Sequence, residues 1–397
     1  MSKVISPGLQ ADSLMAHMRA ICEIGPRPAT SDKEREAAAY AKAVLDLLGL
    51  DGVEEEQFKS QPSFGWIVGP IMVMFSLAMP IAYFGGTWGK VVGAAIFLAA
   101  TYTMWGFQRA IPPFFQRLIE RGVSQNLTLH LPPVGIPRRT AYLIGHLDTN
   151  KQRMTAPPPA PALMKPMSTL SLLFGLFGAG SLVFDLVVGR EGIGWWQWLV
   201  AVLLASSLPS LLFGEHQPYI EGANDNATAV AVLLGMAEAL KAHPLQNTET
   251  VLLFTGCEEA ICVGIENYVK RHKPPKEDTY WIDLEMVGTG GLCYVTRHGI
   301  GYLAHYRPHP EMVTLARQAA EKQPGLRVGP RDMLILEEVS NLRRRGYRAL
   351  CLAGYGEDGH LPNWHRVTDT LDKIEPETLA RAAQFTWALV QEIDALP

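Results

Sequence analysis

The sequence has few charged residues for its length. Asp, Glu, Lys and Arg make up 19% of its 397 residues, whereas hydrophobic residues make up 48%. Ordinary soluble domains carry about 25% charged residues, so this balance is shifted toward membrane proteins. The net charge of -4 and the lack of a long lysine and arginine run leave no electrostatic footprint for nucleic acid. We therefore expect no nucleic-acid partner.

Cysteine is also scarce. The five cysteines are odd in number, scattered and without a CxxC pair, which argues against a disulfide framework or a structural zinc knot. They are Cys22, Cys257, Cys262, Cys293 and Cys351. A reducing compartment is the simpler interpretation. The first residues, MSKVISPGLQADSLMAHMRAICEIG, lack the basic start and apolar core of a signal peptide, so we expect this segment to stay where it is made.

Long hydrophobic runs come in two pairs. Gly65–Phe84 and Val91–Phe107 are separated by the short turn GGTWGK, and Met167–Phe184 and Gly192–Gly214 by a short polar link. An apolar run of about 20 residues is long enough to cross a bilayer as a helix. The pattern predicts two transmembrane hairpins, at residues 61–109 and 166–214. The alternative is a set of buried core helices in a large soluble protein.

The charges that flank these runs predict their orientation. Only Lys90 and Arg190 are basic in the two hairpin turns. The basic residues near the opposite membrane ends are Lys59, Arg109, Arg117, Arg121, Lys151, Arg153 and Lys165. Because basic residues favour the cytoplasmic side, we expect a multi-pass membrane protein whose remaining domain faces the cytoplasm.

The rest of the chain alternates short apolar strands with helices. Helical patterns include Ala227–His243 and a C-terminal segment that begins at Pro376, and a proline-rich linker is predicted at Ala156–Pro166. Strands are predicted at Asn126–Leu131, Thr140–Gly145, Thr250–Gly256, Thr279–Leu284 and Arg348–Ala353. This alternation predicts an α/β fold with a mostly parallel sheet covered on both faces. Its discontinuous domain would comprise residues 1–60, 110–165 and 215–397.

Imidazole and carboxylate groups are found at or just past the predicted strand ends, or in loops. They are His146 and Asp148 in GHLDT, Asp225 in GANDNA, Glu258 and Glu259 in TGCEEA, Glu285 in LEMVG, and His365 in NWHRVTDTLDKI. Open α/β sheets build their sites at the carboxyl ends of the strands. A mixed nitrogen and oxygen ligand set suits zinc or a similar divalent ion. Adjacent Glu258 and Glu259 can divide the work, one as a ligand and one free to handle protons.

In this order the motifs resemble the co-catalytic zinc exopeptidase family. That family includes bacterial leucyl aminopeptidases, vacuolar aminopeptidases, glutamate carboxypeptidase and, as a mono-zinc relative, glutaminyl cyclase. The resemblance extends from about Gly25 to the C-terminus and is interrupted by the two hydrophobic segments. It implies a three-layer α/β/α domain with a mixed, mostly parallel sheet, a peptide or amino-acid-derived substrate, and two zinc ions per chain.

The resemblance also implies a role for each ligand. His146, Asp225 and Glu285 would hold one zinc ion, and Asp225, Glu259 and His365 the other, with Asp225 as the bridge. Many relatives have Asp at the position of Glu285, and Asp283 lies on the same strand face two residues earlier. Either acid could be the ligand; we favour Glu285 because it directly precedes MVG.

Two further residues have catalytic roles by the same resemblance. Glu258 would be the general base toward water activated between the zinc ions, and Asp148 would accept a hydrogen bond from His146 and fix its tautomer. Cys257 directly precedes Glu258, but no triad surrounds it, so we do not expect a nucleophile. Arg27 resembles a position common in the family, and a structural salt bridge is its simplest account.

Hydrolysis of a terminal peptide bond, most simply by an aminopeptidase, is the function that this reasoning favours. A carboxypeptidase, an N-acyl amino-acid hydrolase and a glutaminyl cyclase remain open, because the sequence does not identify the substrate pocket. An inactive membrane scaffold is a further alternative, as is a transporter. The uncharged cores of the hairpins argue against transport, since ionisable groups commonly mark transport pathways. The sequence leaves the oligomeric state open.

Overall fold

A computed structural model describes residues 6–153 and 160–397 of the chain. Within these residues the central sheet has eight strands, in the spatial order β1-β2-β4-β3-β5-β8-β6-β7. Their bounds are β1 Glu54–Ser60, β2 Gly122–Leu131, β3 Arg139–His146, β4 Thr248–Thr255, β5 Thr279–Glu285, β6 Gly291–Arg297, β7 Val328–Asp332 and β8 Arg348–Tyr355. The sheet is mixed and mostly parallel, as predicted.

Strand directions decide which loops meet at one edge of the sheet. β3 runs parallel to β4 and β5, and β5 runs parallel to β8. β2 is antiparallel to both β1 and β4, so β1 runs in the same direction as β3 and β4. The end of β1 at Ser60 and the start of β2 at Gly122 are therefore at the same edge as His146, the last residue of β3.

Helices cover both faces of this sheet. They are α1 Ala11–Ile24, α2 Asp32–Leu47, α9 Thr228–Ala242, α10 Val263–His272, α11 Pro310–Lys322, α12 Val339–Arg344 and α13 Pro376–Asp394. Successive strand side chains point to opposite faces. Leu143 accordingly packs into the core beneath α1, α2, α9, α11 and α13, whereas Ile144 packs into the core beneath α10 and α12. This arrangement confirms the three-layer α/β/α fold.

The hydrophobic runs form helices long and apolar enough to cross a membrane, as predicted. They are α3 Gly65–Phe84, α4 Gly86–Phe107, α6 Ala160–Val187, and the consecutive pair α7 Trp195–Ala205 and α8 Ser207–Glu215; a short helix, α5 Gln116–Ile119, follows the first hairpin. Ile71, Phe75, Phe97 and Leu182 are buried in a core of their own between these helices. Leu77 and Phe177 are about half exposed on the outer surface, as lipid-facing side chains would be.

The structure corrects some local predictions. The turn predicted from Gly85 is shorter, because α4 begins at Gly86. Residues 156–159 of the predicted linker are outside the described residues, and the remainder, from Ala160, is wrong as a linker because it is the start of α6. Strands β1, β6 and β7 were not predicted. In β1 the sequence EEEQFKS is largely exposed at the sheet edge, so it lacks the apolar pattern of a buried strand.

Candidate metal centre

Two groups of side chains that could hold metal ions meet at the carboxyl edge of the sheet. One comprises His146, Asp225 and Glu285, and the other Asp225, Glu259 and His365; in each group the ligand atoms are within 4.8 Å of one another. His146 ends β3, Glu285 ends β5, and Glu259 follows β4. Asp225 precedes α9 in the turn Ala223–Ala227, where its backbone angles are not helical. The topology of the parallel strands thus brings distant motifs together.

Asp225 is the residue that the two groups share. Its Oδ1 is 3.4 Å from His146 Nε2, and its Oδ2 is 3.4 Å from His365 Nε2. His146 Nε2 is also 3.7 Å from Glu285 Oε2, and His365 Nε2 is 3.2 Å from Glu259 Oε2. The two oxygens of one carboxylate therefore face different imidazoles, which is the arrangement that a bridging ligand requires.

The residues present fit a divalent cation such as zinc. Three buried polar atoms, His146 Nε2, Asp225 Oδ2 and Glu259 Oε1, have no hydrogen-bond partner within the described part of the chain. Such atoms are costly to bury unless another group satisfies them. Burial, together with the charges of Asp225 and Glu259, raises the pKa of Glu285 to about 8 against the opposing effect of His146. A divalent cation would bind the unpartnered atoms and would reduce the repulsion between the carboxylates.

Asp148 contacts His146 and the Glu258–Glu259 pair. Its Oδ1 accepts a hydrogen bond from the main-chain N–H of Glu258 at 3.0 Å, and its Oδ2 accepts one from Glu259 at 3.1 Å. His146 Nδ1 is 3.0 Å from the main-chain oxygen of Asp148 and 3.5 Å from its Oδ1. The main-chain oxygen is thus the nearer acceptor for His146, while the carboxylate orients the Glu258–Glu259 pair.

Glu258 belongs to neither ligand group, although its side chain is buried beside them. Burial raises the pKa of Glu258 well above its usual value, and Glu259 adds to this effect against the opposing influence of His146. The Cys262 thiol donates to Glu258 Oε1 at 3.2 Å. The Cys257 thiol is fully buried and its pKa is raised by that burial, so it lacks the character of an activated nucleophile.

Asp283 is also outside both groups that could bind a metal among the described residues. It is fully buried, and burial together with the neighbouring Glu338 and Glu337 raises its pKa well above the usual value. A carboxyl in such surroundings is held in its neutral form. The geometry therefore favours Glu285 over Asp283 as the ligand.

Two residues that support the centre were not singled out from the sequence. Asp369 accepts hydrogen bonds from the main-chain N–H groups of Asn224 at 2.7 Å and Asp225 at 3.0 Å. Asn226 donates to Glu285 Oε2 at 3.1 Å. Asp369 is in the motif NWHRVTDTLDKI and Asn226 is in GANDNA. Their position next to proposed ligands was the only sequence feature that could have identified them.

Arg27 has a structural role that differs in chemistry from the expected salt bridge. Its guanidinium donates to the main-chain oxygens of Leu147, Glu221 and Gly222, each at 2.9 Å. The side chain is buried, and its Nη1 also donates to the main-chain oxygen of Gly25 at 3.2 Å. Arg27 therefore ties the loop after His146 to the loop that carries Asp225.

Solved structures of glutaminyl cyclases and of zinc-dependent exopeptidases have the same fold as this chain. Glutaminyl cyclase of Bacteroides thetaiotaomicron is 14% identical with a TM-score of 0.57, covering 97% of this chain and 99% of that one. A leucine aminopeptidase precursor of the same species is 15% identical with a TM-score of 0.57, covering 98% of each chain. A Zn-dependent exopeptidase of Parabacteroides distasonis is 14% identical with a TM-score of 0.55, covering 96% and 98%. At these identities the likeness shows the fold.

The sequence comparisons find a family model and curated relatives that match part of the chain. The sequence model of Peptidase family M28 matches residues 202–390, a little under half of the chain. A Caenorhabditis elegans relative is 28% identical over 196 residues, which are 46% of this chain and 21% of that protein. Mouse endoplasmic reticulum metallopeptidase 1 is 25% identical over 180 residues, 43% of this chain and 19% of that protein. The chain thus spans about a fifth of the length of these relatives.

Proposed function

We propose that this protein is a membrane-bound exopeptidase, most simply an aminopeptidase, that uses two zinc ions to hydrolyse a terminal peptide bond. The observation that carries the proposal is the shared carboxylate of Asp225, whose two oxygens face His146 and His365 at 3.4 Å each. A second carboxyl, Glu258, is buried beside this pair without belonging to either ligand group. A co-catalytic hydrolase requires both features.

Each zinc ion would have its own ligand set. His146, Asp225 and Glu285 would hold one, and Asp225, Glu259 and His365 the other. Zinc supplies charge that polarises a carbonyl oxygen and makes water more acidic. The choice of zinc is supported by the mixed imidazole and carboxylate donors and by the zinc-dependent exopeptidase of similar fold.

Glu258 would accept the proton from the attacking water and return it to the leaving nitrogen. Its burial raises its affinity for a proton, which suits a general base that must bind and release one within a turnover. Asp148 fixes the main chain of Glu258 and Glu259 through their N–H groups. That contact keeps the base and its neighbouring ligand at a constant separation.

The substitution Glu258→Gln tests this assignment. It preserves the shape of the side chain but removes the basic carboxylate, so turnover of an aminoacyl substrate should fall by at least about a hundredfold. Zinc content should stay at the wild-type level, because Glu258 belongs to neither ligand group. Turnover close to that of the wild type would remove Glu258 from the role.

Glutaminyl cyclisation is the alternative that a specific observation favours, since a glutaminyl cyclase is among the proteins of similar fold. A cyclase would release ammonia from an N-terminal glutamine and would favour one metal over two. Aminoacyl, C-terminal and N-acyl amino-acid substrates, assayed side by side with a glutaminyl peptide, separate the aminopeptidase from these alternatives. A protein that binds zinc but turns over none of them would fit an inactive scaffold.

For orientation, we propose that the catalytic domain faces the cytoplasm. Each hairpin leaves that domain and returns to it, so both hairpin turns must be on the opposite side of the membrane. The membrane ends next to the domain are rich in basic residues, and the turns carry only Lys90 and Arg190. The mouse relative is named for the endoplasmic reticulum, which supports a membrane location; the orientation rests on the basic residues alone.

A further inference from the structure

Asn150 contacts two ligands of one metal group, although it is outside the residues assigned to the site. The side chain is buried, and its Nδ2 donates to Glu259 Oε2 at 2.6 Å. The same nitrogen is 3.3 Å from His365 Nε2. Asn150 therefore touches the group formed by Asp225, Glu259 and His365 but belongs to neither ligand set among the described residues.

The orientation of the Asn150 amide is fixed from its other side. Its Oδ1 accepts hydrogen bonds from the main-chain N–H of Lys151 at 2.8 Å and from Arg153 Nε at 3.0 Å. Both partners are donors only, so a reversed amide would place its NH2 group against two donors. The NH2 group is thus directed toward Glu259 and His365.

Arg153 links this amide to the membrane helices. Its Nη2 is 2.7 Å from Oε1 of Glu215, the last residue of α8. The guanidinium carbon is 4.1 Å from the ring centroid of Phe64, next to the start of α3. The main-chain N–H of Arg153 also donates to the main-chain oxygen of His365 at 2.9 Å. One planar side chain therefore contacts both membrane hairpins and the amide beside the metal ligands.

We propose that Asn150 is a positioning residue for the Asp225, Glu259 and His365 group, and that the Arg153–Glu215 ion pair holds it in place. The amide donates to Oε2 of Glu259. Oε1, which has no hydrogen-bond partner among the described residues, would then be available to a cation. The end of α8 in this way sets the zinc affinity of one group and not of the other. The inference rests on the proposed zinc site but concerns residues outside its ligands.

The test measures zinc affinity in the full-length protein in lipid nanodiscs, by competition between the protein and a chelator for Zn²⁺. Asn150→Ala should weaken one of two zinc dissociation constants by about 10- to 100-fold, as loss of a residue that orients metal ligands typically does. The other constant should stay within about twofold of wild type. Glu215→Gln should weaken the same constant by at least about threefold, because Arg153 loses its charged partner.

The double variant Asn150→Ala/Glu215→Gln separates coupling from independent damage. If Glu215 acts through Asn150, the double variant should bind zinc no more weakly than Asn150→Ala alone. A matched control is Glu266→Gln, since Glu266 pairs with Arg344 at 2.8 Å and Arg345 at 2.5 Å outside this network. It should leave both zinc constants unchanged, and melting of each metal-free variant shows whether the fold is intact.

Two results would overturn the inference while leaving the proposed function standing. One is an Asn150→Ala variant that keeps both wild-type zinc constants. The other is a double variant whose loss equals the sum of the single losses in free energy. A wild-type protein that binds no zinc would instead overturn the proposed function, and this inference with it.

Discussion

Arg27 binds three main-chain oxygens on the loops that precede Asp148 and Asp225. Replacing Arg27 therefore tests how much these contacts stabilise the two loops. Arg27→Met keeps most of the side-chain volume but removes every donor. The carbonyl oxygens of Leu147, Glu221 and Gly222 then lose partners that are now 2.9 Å away. These residues precede Asp148 and Asp225, so the substitution should loosen both loops together.

The substitution removes these three hydrogen bonds and a longer one, at 3.2 Å, to the main-chain oxygen of Gly25. The size of the effect is worked from the three shorter ones, which join the two loops. A hydrogen bond from a charged donor contributes about 1.5–3 kcal/mol. The sum over three is an upper bound, because loops relax, water enters and the cost of burying the guanidinium is removed. That cost is real, since burial lowers the pKa of Arg27. We expect a net loss of roughly 4 kcal/mol, within the range for removing one partner of a buried charged contact.

Arg27→Lys is the matched comparison for this substitution. An ammonium is a compact charge and lacks the rigid fork of a guanidinium, so it cannot reach oxygens from both loops in the same geometry. We expect Arg27→Lys to lose more than half as much unfolding free energy as Arg27→Met. Arg19→Met, on an exposed position of α1, removes an arginine without removing such hydrogen bonds and should change little.

The cysteines provide an assay confined to the catalytic domain. All five are outside the two hydrophobic hairpins, and four are buried, so a thiol-reactive fluorogenic dye reports melting of that domain. For a domain of about 300 residues, an unfolding entropy of about 2.1 cal/mol/K per residue means that 1 kcal/mol changes the melting temperature by roughly 1.5–2 °C. Arg27→Met should therefore melt roughly 6–8 °C below the wild type. A shift no larger than that of Arg19→Met would refute this account of the loops.

Two further predictions concern the metal bridge and the membrane topology. Asp225→Ala should reduce zinc content at both groups because both use this carboxylate, and a variant with full zinc content would contradict the bridge. A cysteine at exposed Thr87, beside the first hairpin turn, should react with a membrane-impermeant reagent in intact cells, whereas one at exposed Ala395 should react only after lysis. The unmodified protein is the control for the native thiols, and the reverse pattern would place the catalytic domain outside the cytoplasm.

The buried strands and membrane helices were predictable because their patterns are local. Thr140–Gly145 is a continuous apolar run that became the centre of β3, and Gly65–Phe84 became α3 without change. The edge strand β1 was not predictable, because most of its side chains face solvent and many of them are charged. Burial on both faces leaves a signal in the sequence, whereas main-chain pairing at an edge does not.

The proposed ligands and the residues that contact them also differ in how visible they are in the sequence. Paired histidines and carboxylates at strand ends form a pattern that can be found by inspection, whereas Asn150 is an ordinary asparagine in sequence. Its significance comes from contact with Glu259, which is 109 residues away. The acceptor for His146 Nδ1 was also not predictable from the sequence. The nearest acceptor is the main-chain oxygen of Asp148, and every residue type has a main-chain oxygen.

The positions of the two membrane insertions explain why the hairpins border the metal centre. The first hairpin interrupts the β1–β2 turn, and the second separates β3 from α9. Both connections are at the carboxyl edge of the sheet, because β1 and β3 run in the same direction. Gln61, just before the first hairpin, donates to the main-chain oxygen of Ala260 at 2.5 Å, next to Glu259.

At the second insertion, the main chain of Arg153 bonds that of His365, and its guanidinium pairs with Glu215. Glu259 and His365 are thus each reached from a different hairpin, and both belong to the same metal group. The His146 and Glu285 side chains are instead fixed at the ends of central strands. A shift of the hairpins relative to the sheet should therefore alter the Glu259–His365 group before it alters the group formed with His146 and Glu285.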